Sequence, residues 1–193
     1  MGKPTGVALP GHAAPAAGFE VPLEMLESCH RRVENQCSTL RRLVDHLAKR
    51  GADADARAAA VAIRRYFEVA APDHHADEEV DLFPALVAAT SGVDAGDLRA
   101  ATAALIATLR AEHRELEGQW QRLKPPLDAL ADGREGSRPA TLEAAAVEAY
   151  AGLYARHIER EETELLPLAA RLLSIDELDR IGRAMRARRG IEI

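Results

Sequence analysis

The sequence predicts an all-α protein: an up-down-up-down four-helix bundle with an internal two-fold hairpin repeat, a short C-terminal helix and an irregular N-terminal arm. Three observations support this prediction. Apolar residues recur at alternating steps of four and three positions, which places them on one helix face. No segment shows the alternation of β-branched residues that is typical of a strand. Two long segments resemble each other at an offset of 83 residues, which carries His30 onto His113.

The boundaries of three helices follow from capping residues and prolines. Pro22 suits the first turn of helix one, and Gly51 follows its end. Pro72 is expected to kink helix two, Pro84 to kink or loosen its end, and Pro167 lies at the matching place in helix four. The predicted helices one, two and four span residues 22–49, 55–89 and 141–173.

Helix three is predicted over residues 97–124, because the Pro125-Pro126 pair should interrupt it before a short continuation to Ala131. The fifth helix should begin at Ser174, where the sequence has a capping-box pattern. Its end carries a basic cluster that we expect to complement the helix dipole and to face water, formed by Arg183, Arg186, Arg188 and Arg189.

Composition excludes several classes of protein. A chain of 193 residues suits one folded unit, divided here into an arm (1–19), the bundle (20–173) and a C-terminal helix packing on it (174–193). The net charge of −6 and the aromatic content of 4% argue against nucleic-acid binding. No apolar run approaches the roughly 18–20 residues that span a bilayer, and no secretory signal is recognisable. We expect a cytoplasmic protein that binds no membrane, monomeric by default with a homodimer left open.

Cys29 and Cys37 lie on one predicted helix, roughly 12 Å apart along its axis. That separation is beyond disulfide reach, so both are expected to be free thiols. Cys37 occupies the place in its apolar stripe that Trp120 occupies in the stripe of helix three, which indicates a core residue.

The repeat also relates histidines and glutamates that could bind a metal ion. Helices one and three each carry a histidine in their apolar stripe, and helices two and four each carry a His-x-x-x-Glu motif, all at the same offset. Residues four apart share a helix face, and buried polar groups must satisfy one another. Imidazoles and carboxylates from four helices are the ligands that a pair of transition-metal ions prefers. The six predicted metal ligands are His30, His74, Glu78, His113, His157 and Glu161.

Three further residues are weaker candidates. Glu34 and Glu117 occupy equivalent positions in the two copies of the repeat, each one turn after the histidine in the apolar stripe. We consider them as additional ligands or as groups that orient the histidines. Tyr154 lies one turn before His157 and is considered as a hydrogen-bond donor to a bound ligand.

The repeat separates His74 from its neighbour His75, which maps onto the apolar Ile158. His75 is therefore expected beside the ligands or at the surface, although a ligand role is left open. Glu79 and Glu162 adjoin predicted ligands in sequence and are expected to face outward.

This series of motifs, with a proline shortly after each glutamate (Pro84 and Pro167), resembles the hemerythrin-like, or HHE cation-binding, domain family over about residues 23–171. The resemblance implies a four-helix bundle around two iron ions joined by an oxo or hydroxo bridge. It also implies that the six residues are the iron ligands, with Glu78 and Glu161 bridging. Zinc or manganese in the same ligands is left open.

The sequence departs from oxygen-carrying hemerythrins, which have five histidines with a His-x-x-x-His pair on the third helix. Here His113 is followed by Glu117, and position 109 is a leucine. One imidazole fewer, together with one carboxylate more if Glu117 binds the metal, would make the centre more anionic. We expect this to stabilise the oxidised irons and to favour sensing, peroxide or nitric-oxide chemistry over reversible oxygen carriage.

The leading hypothesis is a di-iron protein that binds dioxygen, peroxide or nitric oxide at an open iron position, for sensing, storage or detoxification. Enzymatic turnover is left open and no catalytic residue is assigned, although Tyr154 and Glu117 are candidates for proton delivery. The alternatives are an iron- or oxygen-responsive regulatory protein read by a partner, and a single-metal or zinc-binding helical bundle. A ferritin-like oxidase is disfavoured, because those proteins use Glu-x-x-His pairs.

Overall fold

Five helices form the regular structure of the residues that the computed structural model describes, 18–91, 96–133 and 142–191. No strand occurs within these ranges, which confirms the all-α prediction. The predicted arm lies outside the described residues apart from positions 18 and 19, and so does the predicted start of helix four at 141. The helices are α1 (Pro22–Arg50), α2 (54–91), α3 (Gly96–Ala131), α4 (144–172) and α5 (Ile175–Arg188).

Helices α1 to α4 form a ring in which each packs against its two neighbours. α1 contacts α2 and α4, and α3 contacts the same two helices from the other side. This arrangement matches the predicted bundle of two consecutive hairpins. No helix in the described ranges has the length and apolar character needed to cross a membrane.

Three π-helical turns interrupt α2 and α4, and each ends two residues before a proline. At two of them the carbonyl of a predicted metal ligand, Glu78 or Glu161, accepts a hydrogen bond from the N–H five residues later, at Phe83 or Leu166. A proline has no N–H and crowds the preceding turn, so a locally widened helix accommodates it. Helix α2 is thus irregular before Pro72 and Pro84, in the form of π turns, while the predicted kink itself stays a prediction. The π turns are Tyr66–Ala70, Asp77–Leu82 and Glu161–Leu165.

The predicted interruption at Pro125 and Pro126 is wrong, because α3 continues through both residues. Leu123 precedes the prolines, Leu127 and Leu130 follow them, and all three leucines are buried in one apolar cluster. Burial on both sides of the prolines holds the helix in register, since tertiary packing supplies most of the stability of helices in proteins.

We therefore expect Pro125→Ala to stabilise the protein. The exposed Pro125 offers no N–H to the carbonyl of Gln121, and alanine restores that donor. The expected gain is about 1–2 kcal/mol, after allowance for the freer unfolded chain. Urea unfolding followed by circular dichroism measures it. The exposed Arg122→Ala in the same turn is the control and should change stability by no more than about 0.5 kcal/mol. An unchanged or lower stability of Pro125→Ala would contradict the argument.

The four helices bury two apolar clusters with a polar layer between them. Along α1, Leu26 belongs to the first cluster, Val33 belongs to the second, and His30 lies between them. α3 repeats this order with His113 in the middle. The polar layer is therefore shielded from water on both sides, and its groups must find their partners within it.

Both cysteines are buried free thiols, as predicted. Cys37 lies in the same apolar cluster as Trp120. Burial raises the pKa of the Cys37 thiol to about 12, which keeps it protonated and unreactive. Cys37 and Trp120 are therefore both core residues, as their equivalent places in the two apolar stripes indicate.

Helix α5 begins with the predicted capping box. The Ser174 hydroxyl accepts a hydrogen bond from the Glu177 N–H at 3.3 Å, and the Glu177 carboxylate accepts one from the Ser174 N–H at 2.8 Å. Ile181 and Met185 of α5 are buried in the same apolar cluster as Leu26. α5 therefore covers the end of the bundle nearest to that cluster.

The basic cluster at the end of α5 faces water only in part. Arg189 pairs with Asp77 at 2.6 Å, and Arg188 pairs with Asp77 and, at 2.7 Å, with Asp81. The prediction that the cluster faces water is therefore wrong for these two arginines, whereas Arg183 is exposed. Asp77 is 0% exposed and adjoins Glu78, so the pairs tie α5 to the π turn that carries a predicted ligand.

Candidate metal centre

All six predicted ligands meet in the polar layer of the bundle. α1 and α3 contribute one histidine each, and α2 and α4 contribute one histidine and one glutamate each. The six side chains are between 0% and 5% exposed. They form two groups, within each of which one ligand atom per residue lies within 4.8 Å of the others. The groups are His30, His74, Glu78 and Glu161, and Glu78, His113, His157 and Glu161.

Glu78 and Glu161 belong to both groups, so each carboxylate faces both halves of the centre. The Nε2 atom of His30 lies 3.0 Å from Oε2 of Glu161, and that of His157 lies 3.1 Å from Oε1 of the same residue. Across the centre, Nε2 of His74 and of His113 approach the two oxygens of Glu78 at 3.5 and 3.3 Å. Each carboxylate thus directs its two oxygens at two different histidines, as a bridging ligand requires.

The donor atoms of the centre lack well-directed hydrogen bonds. Both oxygens of Glu78 and Glu161 and the Nε2 atoms of three histidines are buried without a hydrogen-bond partner. Leaving so many buried polar atoms unsatisfied is costly for a folded chain unless a further group satisfies them. Imidazole nitrogens and carboxylate oxygens are ligands that iron accepts, so the donor set fits a pair of such ions. The three histidines are His30, His113 and His157.

In three of the four histidines, a carboxylate lies within hydrogen-bonding distance of Nδ1, the ring nitrogen that faces away from the centre. The Nδ1 atom of His30 lies 3.1 Å from Glu162, and that of His113 lies 2.7 Å from Glu79. The expectation that Glu79 and Glu162 face outward is therefore wrong. A carboxylate at Nδ1 fixes the ring and leaves Nε2 free for a metal, as in many metal sites.

The third such carboxylate, Glu112, was not predicted. Glu112 lies 3.0 Å from Nδ1 of His157 and also pairs with Arg160. It directly precedes His113 in the sequence but reaches a histidine on another helix, a contact that no local spacing reveals. The repeat places Cys29 where Glu112 stands, and Nδ1 of the mate histidine, His74, is buried without a partner. The two halves of the centre therefore differ in the charge behind one imidazole.

Two of the weaker candidates lie outside the centre, and two approach it. Glu34 and Glu117 are exposed and belong to neither His/Glu group, so neither adds a carboxylate to the centre. His75 and Tyr154 do approach the centre: the His75 ring stacks on His113 with centroids 4.1 Å apart, and the Tyr154 ring lies 6.4 Å from His157. Tyr154 is 3% exposed.

Without metal, the two shared carboxylates differ in proton affinity. Burial and the neighbouring charge of Glu161 raise the pKa of Glu78 to about 7. Burial acts on Glu161 in the same direction, but His157 and His30 outweigh it and hold its pKa well below the usual range. Two carboxylates this close ionise as a coupled pair, and the Glu78 side holds a proton more tightly than the Glu161 side. A metal that binds here must displace that proton.

The metal-free protein should lose stability between about pH 6.5 and pH 9. Burial opposes the charged form of His157, but Glu161 and Glu78 overcome it and raise the pKa of this histidine to about 9. A raised pKa of a histidine stabilises the fold fully below the unfolded value of about 6.5, and this stabilisation disappears as the pH rises through 9. The shift corresponds to about 3 kcal/mol. The raised pKa values of His30 and His113 add to the decline in the same window, whereas the lowered pKa values of His74 and His75 act below pH 6.5.

Urea unfolding of chelator-treated protein from pH 6 to pH 9.5 measures this dependence. His157→Gln should flatten the decline, because glutamine carries no titrating proton. A free energy of unfolding that stays constant across the window in the unsubstituted protein would contradict the argument.

Comparison with known proteins agrees with the geometry of the centre. Residues 21–169 match the family described as the hemerythrin HHE cation-binding domain. An uncharacterised protein of Haemophilus influenzae is 32% identical over 176 residues, which cover 91% of this chain and 94% of the relative. The chain belongs to the hemerythrin HHE cation-binding domain family. Membership in this family and the His/Glu groups together indicate that it binds metal cations.

Proposed function

We propose that the protein is a non-haem di-iron protein in which Glu78 and Glu161 bridge two ions. One ion would be held by His30 and His74, and the other by His113 and His157. The observation that carries this proposal is that both carboxylates belong to both His/Glu groups. A single ion would need only one of the groups. Two groups that share their carboxylates suit a pair of ions.

Iron suits these ligands better than calcium or magnesium, because four of the six are imidazoles. Zinc and manganese accept the same atoms, and elemental analysis distinguishes them from iron. The carboxylates at Nδ1 of three histidines increase the basicity of those imidazoles and favour a more oxidised ion. Six ligands for two ions leave coordination positions open.

We propose that an open position binds dioxygen, peroxide or nitric oxide, for sensing, storage or detoxification. Two irons can each exchange one electron with such a ligand. The protein contributes by burying the donor set between two apolar clusters, which keeps bulk water away from it. Whether turnover follows depends on proton supply, which the buried Tyr154 is placed to influence.

Metal content per chain tests the proposal directly. Protein expressed with added iron and purified without chelator should contain about two irons per chain by elemental analysis. His74→Ala should lower the iron content and His46→Ala should not, because His46 pairs with Asp53 at the start of α2, away from the centre. Protein without metal, or with a single zinc, would overturn the di-iron proposal.

A second candidate is a regulatory protein whose metal state is read by a partner. The observation that favours it is the ion pairing of Arg188 and Arg189 with Asp77, beside Glu78. Loss of the metal can loosen this π turn and, through Asp77, release the C-terminal helix. A melting temperature that stays the same after iron removal would count against this function.

A further inference from the structure

His75 is an additional, half-buried histidine at the centre that the duplicated ligand set does not require. The equivalent position in the second hairpin is Ile158, so that hairpin has no histidine that corresponds to His75. The Nε2 atom of His75 is buried and has no hydrogen-bond partner. One ring nitrogen of His75 lies within 4.8 Å of ring nitrogens of His113 and His157. The His75 ring thus approaches the half of the centre that α3 and α4 provide, and it carries an unpartnered nitrogen.

The ring geometry places His75 beside the ligands and not among them. Its plane is inclined by only 14° to that of His113, with the centroids 4.1 Å apart, which is a stacked pair. A metal ion lies in the plane of each imidazole that binds it, and two stacked parallel planes do not intersect at one ion. His113 is well oriented as a ligand, because its Nδ1 is fixed by Glu79 at 2.7 Å and its Nε2 faces Glu78 at 3.3 Å. His75 therefore covers the face of a ligand ring.

A cavity of about 390 Å³ adjoins the centre at this point. Phe67, Trp120, Tyr150 and Tyr154 form much of its wall, and His75 and His113 line it together. Arg114 and Glu117, which also line the cavity, are exposed and so lie toward solvent. The volume exceeds what a diatomic molecule or a peroxide needs, so such a ligand can reach the His75 ring.

His75 also offers a hydrogen-bonding atom that no other group in the described part of the chain uses. Among the described residues that line the cavity, only His75 and His113 have a buried side-chain atom without a hydrogen-bond partner. His113 belongs to the predicted ligand set. The hydroxyls of Tyr150 and Tyr154 form a hydrogen bond with each other, in which Tyr150 is the donor.

We propose that a small ligand on the His113 and His157 side of the centre, reached through this cavity, forms a hydrogen bond with His75. The inference rests on the di-iron function proposed above and adds a residue that selects the ligand. A neutral imidazole with its proton on Nε2 donates to a small anion or to a polar diatomic molecule. The same atom gives no gain to an apolar gas. The ligands favoured are thus peroxide or a bound anion.

Azide is a suitable probe, because it is a small anion and its binding to iron is visible in absorption and infrared spectra. The iron-loaded protein is compared with iron-loaded His75→Phe, which keeps a ring on His113 but has no donor, and with His75→Gln, which restores a donor. His46→Phe removes an imidazole outside the centre and is the matched control. Each protein is measured for iron per chain, for azide Kd, and for the shift of the azide infrared band in heavy water.

We expect His75→Phe to keep its iron and to bind azide about tenfold or more weakly. The heavy-water shift of the azide band should disappear in this variant, and His75→Gln should recover part of the affinity. An unchanged azide Kd in His75→Phe would overturn the inference. Loss of iron from His75→Phe and His75→Gln would also overturn it, since His75 would then be a metal ligand. If the unsubstituted protein takes up no iron, the proposed function itself fails, and this result is distinct from the other two.

Discussion

Glu161→Gln is expected to abolish paired metal binding, with iron content falling from about two to below one per chain. Glu161 is 0% exposed and belongs to both His/Glu groups, in which its two oxygens face His30 and His157. Glutamine keeps the size of the side chain but replaces one oxygen with an amide nitrogen that cannot bind a cation. One of the two proposed ions loses its Glu161 oxygen, and the negative charge that both ions share is removed. Elemental analysis of purified protein measures the result.

Glu34→Gln is the matched control for this experiment. Glu34 lies one turn after His30 in the sequence but is exposed, so its removal should leave the iron content unchanged. Circular dichroism of both variants checks that the helices persist, because Glu161 also faces imidazoles in the metal-free protein. Two irons per chain in Glu161→Gln would contradict its bridging role. Equal losses in both variants would point to a general folding defect.

The six candidate ligands could be predicted from the sequence because the duplicated hairpin relates them twice. A histidine in an apolar stripe is ambiguous alone, but the pair His30 and His113 repeats together with two His-x-x-x-Glu motifs. The structure places all of them in one layer. The fold could be predicted for a similar reason, since each stripe defines a face and the duplicated hairpin defines neighbours. The residues that occur in both copies of the repeat are therefore the ones that can be predicted from the sequence.

The groups that break the repeat could not be predicted in the same way. Glu112 has Cys29 as its repeat mate, and it reaches a histidine on another helix. Such contacts depend on how far each helix is rotated in the bundle, which the spacing along one helix does not determine. The continuous α3 shows the same limit, because tertiary burial decided the outcome at Pro125 and Pro126 against their local preference.

His75 illustrates how a bundle uses adjacent positions. Residues 74 and 75 differ by about 100° around a helix, so only one would be expected to face the core. α2 has two neighbours, however, and the His74 ring approaches His30 of α1 at 5.1 Å while the His75 ring approaches His113 of α3 at 4.1 Å. The segment Ala71–Ala76 that carries both lies between two π turns, which alter the rotation on either side.

The double variant Arg188→Ala/Arg189→Ala is expected to destabilise the protein by about 3–5 kcal/mol, since it leaves a buried carboxylate without a partner. Asp77 is 0% exposed, and burial raises its pKa even though both guanidinium groups oppose the rise. Removing the guanidinium groups leaves the burial cost uncompensated. For a chain of this length the loss lowers Tm by roughly 10 °C or more. Thermal unfolding of the metal-free protein measures it.

Two comparisons identify buried Asp77 as the cause. Arg183→Ala removes an exposed arginine from the same helix and should leave Tm nearly unchanged. Asp77→Asn should cost less than the double variant, because it removes the buried charge itself and leaves the partly exposed arginines to water. A larger loss from Asp77→Asn than from the double variant would contradict this order. Since Asp77 adjoins Glu78 in the same π turn, the double variant should also release iron faster to a chelator, whereas Arg183→Ala should not.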